Sequence, residues 1–271
     1  MSSRPPTPYP GVNEVLALLL SEVRLVLADE FVGVYLYGSL ASGDFDPEGS
    51  DIDFLVTTRS PLSAATVASL EAMHARLGAG GPQRAHGLEG TYIPHAALRR
   101  FDPGSPAAPT INEGRFYLEK HGTEWIIQRR LLREHGVVVA GPPIRHMIDP
   151  VAPDEIRYAV YDLLHSWWAT FLVDATRMEN SSGYQGYAVL TMCRALYALE
   201  HGAIVSKPVA ARWAQRTLGE PWAGLIDDAL LWRHGRQSRR LPDVLAFIRY
   251  TLDHSKQYQC LPPTPASQTT Y

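Results

Sequence analysis

Cysteine is scarce in this sequence, which contains only Cys193 and Cys260 among its 271 residues. Two thiols are too few for a disulfide framework, and neither lies in a CxxC motif or a Cys/His cluster that would bind zinc. We interpret both as structural thiols of a reducing compartment. The chain also lacks a signal-like start, and it has no uncharged run of the ~18 residues that a membrane helix needs. We therefore expect a cytoplasmic protein with no membrane partner.

The sequence has no large excess of either charge. Its 25 Lys and Arg residues against 28 Asp and Glu residues give a net charge of -3, so the basic surface of a sequence-independent nucleic-acid binder is missing. Hydrophobic residues make up 45% of the chain, which is enough for a sizeable core and excludes intrinsic disorder. Because single cores usually stop growing near ~250 residues, we expect two domains.

The first half of the chain alternates between helical and strand patterns. Apolar residues recur with a helical period over about 13–28, and further helices are predicted near 63–77 and 125–135. Short β-branched and aromatic runs predict strands over 32–37, 52–57, 88–93 and 137–140. The Pro/Gly-rich stretch from Phe101 to Pro109 is interpreted as a loop. Residues 1–150 are thus predicted to form a domain with a small mixed β-sheet flanked by helices.

Strand periodicity disappears after the proline-rich segment that ends near Pro153. Helices are predicted over about 154–178, 184–201, 207–218, 222–234 and 242–258. We therefore predict an α+β fold, in which an all-helical bundle domain over 151–271 follows the sheet-containing domain.

The most informative motif is a Gly-Ser pair followed by two spaced aspartates. Gly38 and Ser39 end the first predicted strand, where their backbone amides and the serine hydroxyl can face a phosphate. Asp51 and Asp53 open the next strand and, being two residues apart, point to the same face. Two adjacent carboxylates repel each other unless a cation lies between them. Mg²⁺ with a nucleoside triphosphate suits this arrangement, because Mg²⁺ prefers a few carboxylates together with phosphate oxygens.

Glu89 is a third candidate, since it interrupts the otherwise apolar and aromatic strand over 88–93. If this strand lies beside the one that carries Asp51 and Asp53, Glu89 either completes the metal site or acts as the general base on an acceptor hydroxyl.

Each of these features also has a plainer explanation. An acidic pair at the end of a strand is usually solvated, and Glu89 could be an edge-strand carboxylate. The full order favours a phosphate-and-metal site, because it joins a strand, Gly-Ser, a loop, Ser-Asp-Ile-Asp and an acidic strand in the context that such a site requires.

This order resembles the signature of the nucleotidyltransferase superfamily related to DNA polymerase β. The resemblance narrows to the aminoglycoside nucleotidyltransferases, in particular those that adenylate streptomycin and spectinomycin, and it covers roughly residues 12 to 250. It is carried by the C-terminal half and by three shorter stretches: Tyr37-Gly38-Ser39 with Ser50-Asp51-Ile52-Asp53, Arg133-Glu134-His135, and Gly141-Pro142.

The resemblance implies a reaction and a set of residue roles. AMP would pass from ATP, the co-substrate, to a hydroxyl of a small aminoglycoside-like acceptor bound between the domains, and pyrophosphate would leave. Asp51 and Asp53 match metal-binding aspartates, Ser39 matches a phosphate-contacting serine, and Glu89 matches the catalytic base. Arg194 and Lys207, in the helical half, match two cations that contact the triphosphate. We expect the protein to act as a monomer.

Two departures from the family pattern concern the acceptor. Members that bind streptomycin have acidic residues where this chain has Asn180 and Tyr184, fourteen and ten positions before Arg194. Asp174 and Glu179 either compensate for these losses or are solvated. Two alternatives therefore stay open: the same chemistry on a protein or another non-aminoglycoside acceptor, and a catalytically silent ATP-binding regulator.

Overall fold

The computed structural model describes residues 5–47, 49–80, 87–232 and 240–259. The chain divides into two compact units, Met1–Pro150 and Val151–Tyr271, called unit 1 and unit 2 below. Cys193 is buried in unit 2, and burial raises the pKa of its thiol to about 12, which fits a structural role. Cys260 lies outside the described residues. No helix in these described ranges is both long enough and apolar enough to span a membrane.

Unit 1 combines strands with helices, as predicted. Its strands are β1 (Phe31–Leu36), β2 (Ile52–Thr58), β3 (Leu88–Pro94), β4 (Ala108–Asn112), β5 (Arg115–Glu119) and β6 (Val137–Ala140). Its helices are α1 (Pro10–Leu27), α2 (Gly38–Ser42), α3 (Ala64–Gly80), α4 (His95–Leu98) and α5 (Glu124–His135).

The strands form one mixed sheet in the order β5-β4-β3-β2-β1-β6. Strands β2 and β3 are parallel, whereas the other neighbouring pairs are antiparallel. The antiparallel pairing of β1 with β2 aligns Leu36 with Phe54, so the end of β1 lies next to the start of β2. This junction brings the two halves of the Gly-Ser and Asp-Ile-Asp motif together.

Each face of the sheet carries its own apolar core. On one face, α1 and α3 pack over alternate strand residues, which include Val34, Leu36, Ile52, Phe54, Val56 and Leu88. On the other face, α5 packs over Tyr35, Tyr37, Leu55 and Ile93. Because side chains alternate along a strand, Asp53 and Glu89 belong to this second face.

A β-hairpin lies where the sequence predicted no strand, and it includes Ala108 and Pro109, the last two residues of the loop predicted over Phe101–Pro109. Strands β4 and β5 pair from Ala108 with Glu119 to Asn112 with Arg115, which leaves Glu113 and Gly114 as a two-residue turn. Both turn residues have positive φ, 49° and 72°, as a type I′ hairpin turn requires. The hairpin escaped prediction because Glu-Gly is a weaker turn signal than Asn-Gly or Asp-Gly, and β5 is short and largely polar.

Unit 2 is all-helical over its described residues, which confirms the predicted class. Its helices are α6 (Pro153–Ser166), α7 (Thr176–Glu179), α8 (Ser182–His201), α9 (Lys207–Leu218), α10 (Trp222–Trp232) and α11 (Leu241–Ser255). The helix predicted over 222–234 corresponds to α10, and its last two residues lie outside the described residues.

The single helix predicted over 154–178 is wrong. Helix α6 ends at Ser166, a 3₁₀ helix follows over Trp168–Leu172, and α7 begins at Thr176. The 3₁₀ turn buries Trp168 and Phe171, and the Asp174 carboxylate accepts a hydrogen bond from the Thr176 backbone N–H. Aromatic packing and this local side-chain bond outweigh continuation of the helix.

Candidate active site

The site in unit 1 begins where β1 gives way to α2. The backbone N–H of Tyr37 donates a hydrogen bond to the Asp53 carbonyl oxygen at 3.2 Å, which holds the end of β1 against the start of β2. Gly38 follows with φ of 61°. A Cβ atom at Gly38 would lie 1.8 Å from Asp53 Oδ2, so only glycine leaves room for the carboxylate. Ser39, half-buried, lies in the first turn of α2.

Glu89 lies beside Asp53 on the neighbouring strand. The parallel register of β2 and β3 aligns Asp53 with Glu89, and aligned residues share a face of the sheet, with strands ~4.8 Å apart. Both side chains are half-buried, whereas Asp51 is exposed. Gly87 leaves space for Asp51, since a Cβ there would lie 3.4 Å from Asp51 Oδ1. The structure therefore brings Gly38, Ser39, Asp51, Asp53 and Glu89 together.

The surroundings of Glu89 favour its protonated form. Burial raises the pKa of this carboxyl first, and the negative charge of Asp51 raises it further. A hydrogen bond from the Glu113 backbone N–H lowers the pKa in part, while the Glu113 charge raises it. A carboxyl with a raised pKa is a better proton acceptor once it is ionised, as a general base must be.

Sequence patterning missed the contribution of the hairpin to this site. The hairpin supplies the Glu113 amide, and its strand β5 brings Glu119 close to the buried Tyr37 hydroxyl. Burial, followed by the charges of Asp53, Glu89 and Glu119, raises the pKa of this hydroxyl. The pKa of Glu119 is itself raised by burial and then by Glu124, and a hydrogen bond with Thr110 opposes the shift. The Glu113-Gly114 turn was the local signal that could have located these residues.

The carboxylates fit a metal ion only when phosphate completes the site. No group of three or more His, Cys, Asp or Glu side chains in the described parts of the chain is arranged to hold a metal ion. Asp51 and Asp53 offer hard oxygen ligands next to the Gly38–Ser39 turn, and Mg²⁺ characteristically binds one or two carboxylates together with substrate phosphates. This donor set suits Mg²⁺ bound with a nucleotide. Whether Glu89 is also a ligand stays a prediction.

The two cations predicted from the helical half lie on neighbouring helices of unit 2. Arg194 is half-buried on α8, and Lys207 is the first residue of α9. The Lys207 ammonium lies 4.7 Å from the ring centroid of Tyr187.

The two positions that depart from the family pattern are occupied by neutral groups with local partners. The Arg177 guanidinium lies 4.4 Å from the ring centroid of Tyr184, and Asn180 Nδ2 donates to the Thr176 carbonyl oxygen at 3.0 Å. Asp174, a candidate for compensation, is exposed and accepts the hydrogen bond of Thr176, which lowers the pKa of its carboxyl. The Arg177 guanidinium therefore lies beside the neutral Tyr184 ring.

The sheet, the Gly38–Ser39 turn and the aligned carboxylates define a nucleotidyltransferase. A family model described as a nucleotidyltransferase domain matches residues 20–90, and one described as the C-terminal domain of aminoglycoside adenylyltransferase matches residues 146–257. These two matches lie on different parts of the chain, and together they support an enzyme of the aminoglycoside nucleotidyltransferase type.

Relatives match nearly the whole chain. An aminoglycoside (3'') (9) adenylyltransferase of Klebsiella pneumoniae is 26% identical over 252 residues, covering 88% of this chain and 93% of the relative. A spectinomycin 9-adenylyltransferase of Campylobacter jejuni is 24% identical, and the match covers 80% of this chain and 82% of the relative. The crystal structure of a spectinomycin adenyltransferase from Enterococcus faecialis, solved with ATP and spectinomycin, has the same fold, with a TM-score of 0.72. The sequences are 17% identical, and the match covers 90% of this chain and 98% of that one.

Proposed function

We propose that this protein transfers AMP from ATP to a hydroxyl of an aminoglycoside-type antibiotic and releases pyrophosphate, with Mg²⁺ as cofactor. The observation that carries the proposal is the alignment of Glu89 with Asp53 next to the Gly38 turn. The matches of both units to nucleotidyltransferase and adenylyltransferase models support the same reaction.

The proposed chemistry assigns one role to each group in unit 1. Glu89 accepts the proton of the acceptor hydroxyl, whose oxygen then bonds to the α-phosphorus of ATP while the bond to pyrophosphate breaks. Gly38 and Ser39 bind phosphate oxygens through backbone amides and the serine hydroxyl. Asp51 and Asp53 would hold Mg²⁺, which, when bound, neutralises charge on the phosphates.

Arg194 and Lys207 are the two cations of unit 2 for which we propose a role in nucleotide binding. Both carry positive charge on accessible positions of unit 2, and a triphosphate needs several cations when it is removed from water. We assign them to the triphosphate, with ATP as the nucleotide.

The acceptor we favour is spectinomycin, which two of the relatives above name, rather than streptomycin. The Arg177 guanidinium stacked on Tyr184 disfavours a guanidinium-bearing acceptor by repulsion between like charges. An acceptor outside this class is the second candidate, and the neutral Asn180 and Tyr184 are the observation that favours it.

The test measures pyrophosphate release with ATP and Mg²⁺ in the presence of spectinomycin, streptomycin or other aminoglycosides. Glu89→Gln removes the base and should lower the rate by roughly 10²–10⁴-fold, with ATP binding retained. Glu71→Gln is the matched control, because it makes the same chemical change on the exposed face of α3.

Release that requires both an antibiotic and Glu89 supports the proposal. ATP binding without release across the whole panel would contradict an aminoglycoside acceptor. Equal rates for the Glu89→Gln and Glu71→Gln variants would contradict the role of Glu89.

A further inference from the structure

Lys207 lies at an electrostatically unfavourable place in unit 2. It is the first residue of α9, and Ser206 before it provides no side-chain cap. The start of a helix carries a positive partial charge, which repels an ammonium group. A favourable contact of the ammonium would offset this repulsion.

The ring of Tyr187 provides such a contact. Lys207 Nζ lies 4.7 Å from its centroid, inside the ~6 Å within which an aromatic face attracts a cation. Two aromatic neighbours also pack against the ring, with centroids 5.9 Å away at Trp168 and 5.5 Å away at Tyr184. Tyr187 is nevertheless 43% exposed and Lys207 is half-buried, so neither residue is enclosed in the core.

Tyr187 also shares a face of α8 with Arg194. Seven residues separate them, which is about two helical turns. Thr191 lies between them on the same face, and its hydroxyl donates to the Tyr187 carbonyl oxygen at 2.7 Å. The neighbours on either side of this row are buried, whereas Tyr187, Thr191 and Arg194 are not. One accessible row of α8 thus carries Arg194 at one end and, through Tyr187, the Lys207 ammonium at the other.

We propose that Tyr187 is a positioning residue, whose ring face holds the Lys207 ammonium on the same surface as Arg194 for the triphosphate of ATP. This inference rests on the proposed function, in which Lys207 contacts the triphosphate. A cation that is already held in place loses less side-chain freedom on binding, which strengthens nucleotide affinity. Tyr187 acts through Lys207, without a contact of its own to the reacting atoms.

The test is a series of rings at position 187, with Mg²⁺-ATP affinity measured by calorimetry without an acceptor. Tyr187→Phe keeps the ring face and should bind ATP as the wild type does. Replacement of Tyr187 by 3,4,5-trifluorophenylalanine keeps the ring shape but lowers the negative potential of its face. Tyr187→Leu removes the ring. Both should weaken ATP binding by roughly two- to five-fold.

A second arm separates this inference from the proposed function. Lys207→Met should weaken ATP binding, and in that background Tyr187→Leu should have no further effect. Tyr250→Leu is the matched control, because it removes a half-buried tyrosine ring of the same unit that packs on Trp222 and Phe247, and it should leave ATP affinity unchanged.

Equal ATP affinity in the phenylalanine and trifluorophenylalanine proteins would overturn the inference. So would an effect of Tyr187→Leu that persists in the Lys207→Met background, or one that changes only the KM of the acceptor. If Lys207→Met binds ATP as tightly as the wild type, the assignment of Lys207 in the proposed function fails as well. ATP affinity is measured without an acceptor. The variants at position 187 therefore test the role of Tyr187 even if no antibiotic supports turnover.

Discussion

Gly38 and Gly43 lie at opposite ends of the short helix α2 and have different surroundings. Both have positive φ, 61° and 77°, which is costly for any residue with a Cβ atom. A Cβ at Gly38 would also collide with the Asp53 carboxylate at 1.8 Å, whereas one at Gly43 has no heavy atom of the described structure within 4 Å. A substitution at Gly43 therefore tests backbone strain alone, whereas one at Gly38 tests strain together with displacement of Asp53.

Replacing each of these glycines by alanine should give different results in an activity assay. We expect both Gly38→Ala and Gly43→Ala to lose about 1–2 kcal/mol of unfolding free energy in urea, because both place alanine in the left-handed region. Only Gly38→Ala should also lose about 100-fold in turnover, because it displaces Asp53. Similar turnover in the two variants would contradict the placement of Asp53 in the site.

Protonation of the buried His74 makes the stability of unit 1 depend on pH. It is 5% exposed, and its Nε2 and the Tyr92 hydroxyl are 2.8 Å apart. Burial lowers the pKa of His74 from 6.5 to about 4. The folded state therefore binds this proton less readily than the unfolded state, so stability is full above pH ~6.5 and decreases as the pH falls towards 4.

We expect the double variant His74→Phe and Tyr92→Phe to lose part of this acid sensitivity. Both hydrogen-bonding groups are removed together, so neither is left buried without its partner. The wild type should lose about 3 kcal/mol more than the variant between pH 7 and pH 4, as follows from the shift of one proton. Unfolding free energies measured across this range check the prediction, and parallel curves for the two proteins would contradict it.

Arg129 joins two helices of unit 1. From α5 its guanidinium donates to the carbonyl oxygens of Ala97 at 2.8 Å and Leu98 at 2.9 Å, which are the last two residues of α4. It is 4% exposed, and burial lowers its pKa to about 10, so it stays positively charged near neutral pH. One buried side chain thus binds the free carbonyl end of α4.

Arg129→Met should cost about 3 kcal/mol of unfolding free energy, because the carbonyl groups lose charged hydrogen bonds in a buried place. Arg76→Met is the control. Arg76 pairs with Glu22 at the surface, and an exposed pair of this kind contributes roughly 0.5 kcal/mol. Urea denaturation of the two variants measures the difference, and equal losses would contradict the structural role of Arg129.

The strands with strong local signals were predictable, and those without were not. Apolar, β-branched runs with glycine or proline at their ends located β1, β2, β3 and β6 to within a residue or two. The β4–β5 hairpin was missed, because a turn of Glu113 and Gly114 and a polar strand are weak local signals. The hairpin matters for the site, since it brings the Glu113 amide to Glu89.

The site itself was predictable only where the chemistry is local in sequence. Asp51 and Asp53 are two residues apart, so strand geometry predicts a shared face, although β2 begins at Ile52 and Asp51 immediately precedes it. Glu89 was a conditional prediction, because its place depended on β3 lying beside β2. The 17-residue helix α3 between them is the kind of crossover that parallel neighbours require. The break between α6 and α7 depends on packing among distant aromatic residues, which a helical period does not reveal.

We propose that Arg194 in unit 2 contacts the triphosphate of ATP. Arg194→Gln in unit 2 should therefore raise the KM for ATP by roughly ten-fold or more, since charged contacts to phosphate contribute about 1.5–3 kcal/mol. Arg216→Gln is the control, because it removes an exposed arginine of α9. Steady-state kinetics with varied ATP distinguish the two, and an unchanged KM in Arg194→Gln would contradict the assignment.

The most direct test of the central claim is the mass of the antibiotic after reaction. Spectinomycin is incubated with the wild-type protein, ATP and Mg²⁺ and then analysed by mass spectrometry, with the Glu89→Gln protein in parallel. We expect one product heavier by a single AMP group, formed by the wild type and absent when Glu89→Gln or EDTA is used. Unmodified spectinomycin together with AMP attached to another acceptor, or with no AMP transfer at all, would contradict it.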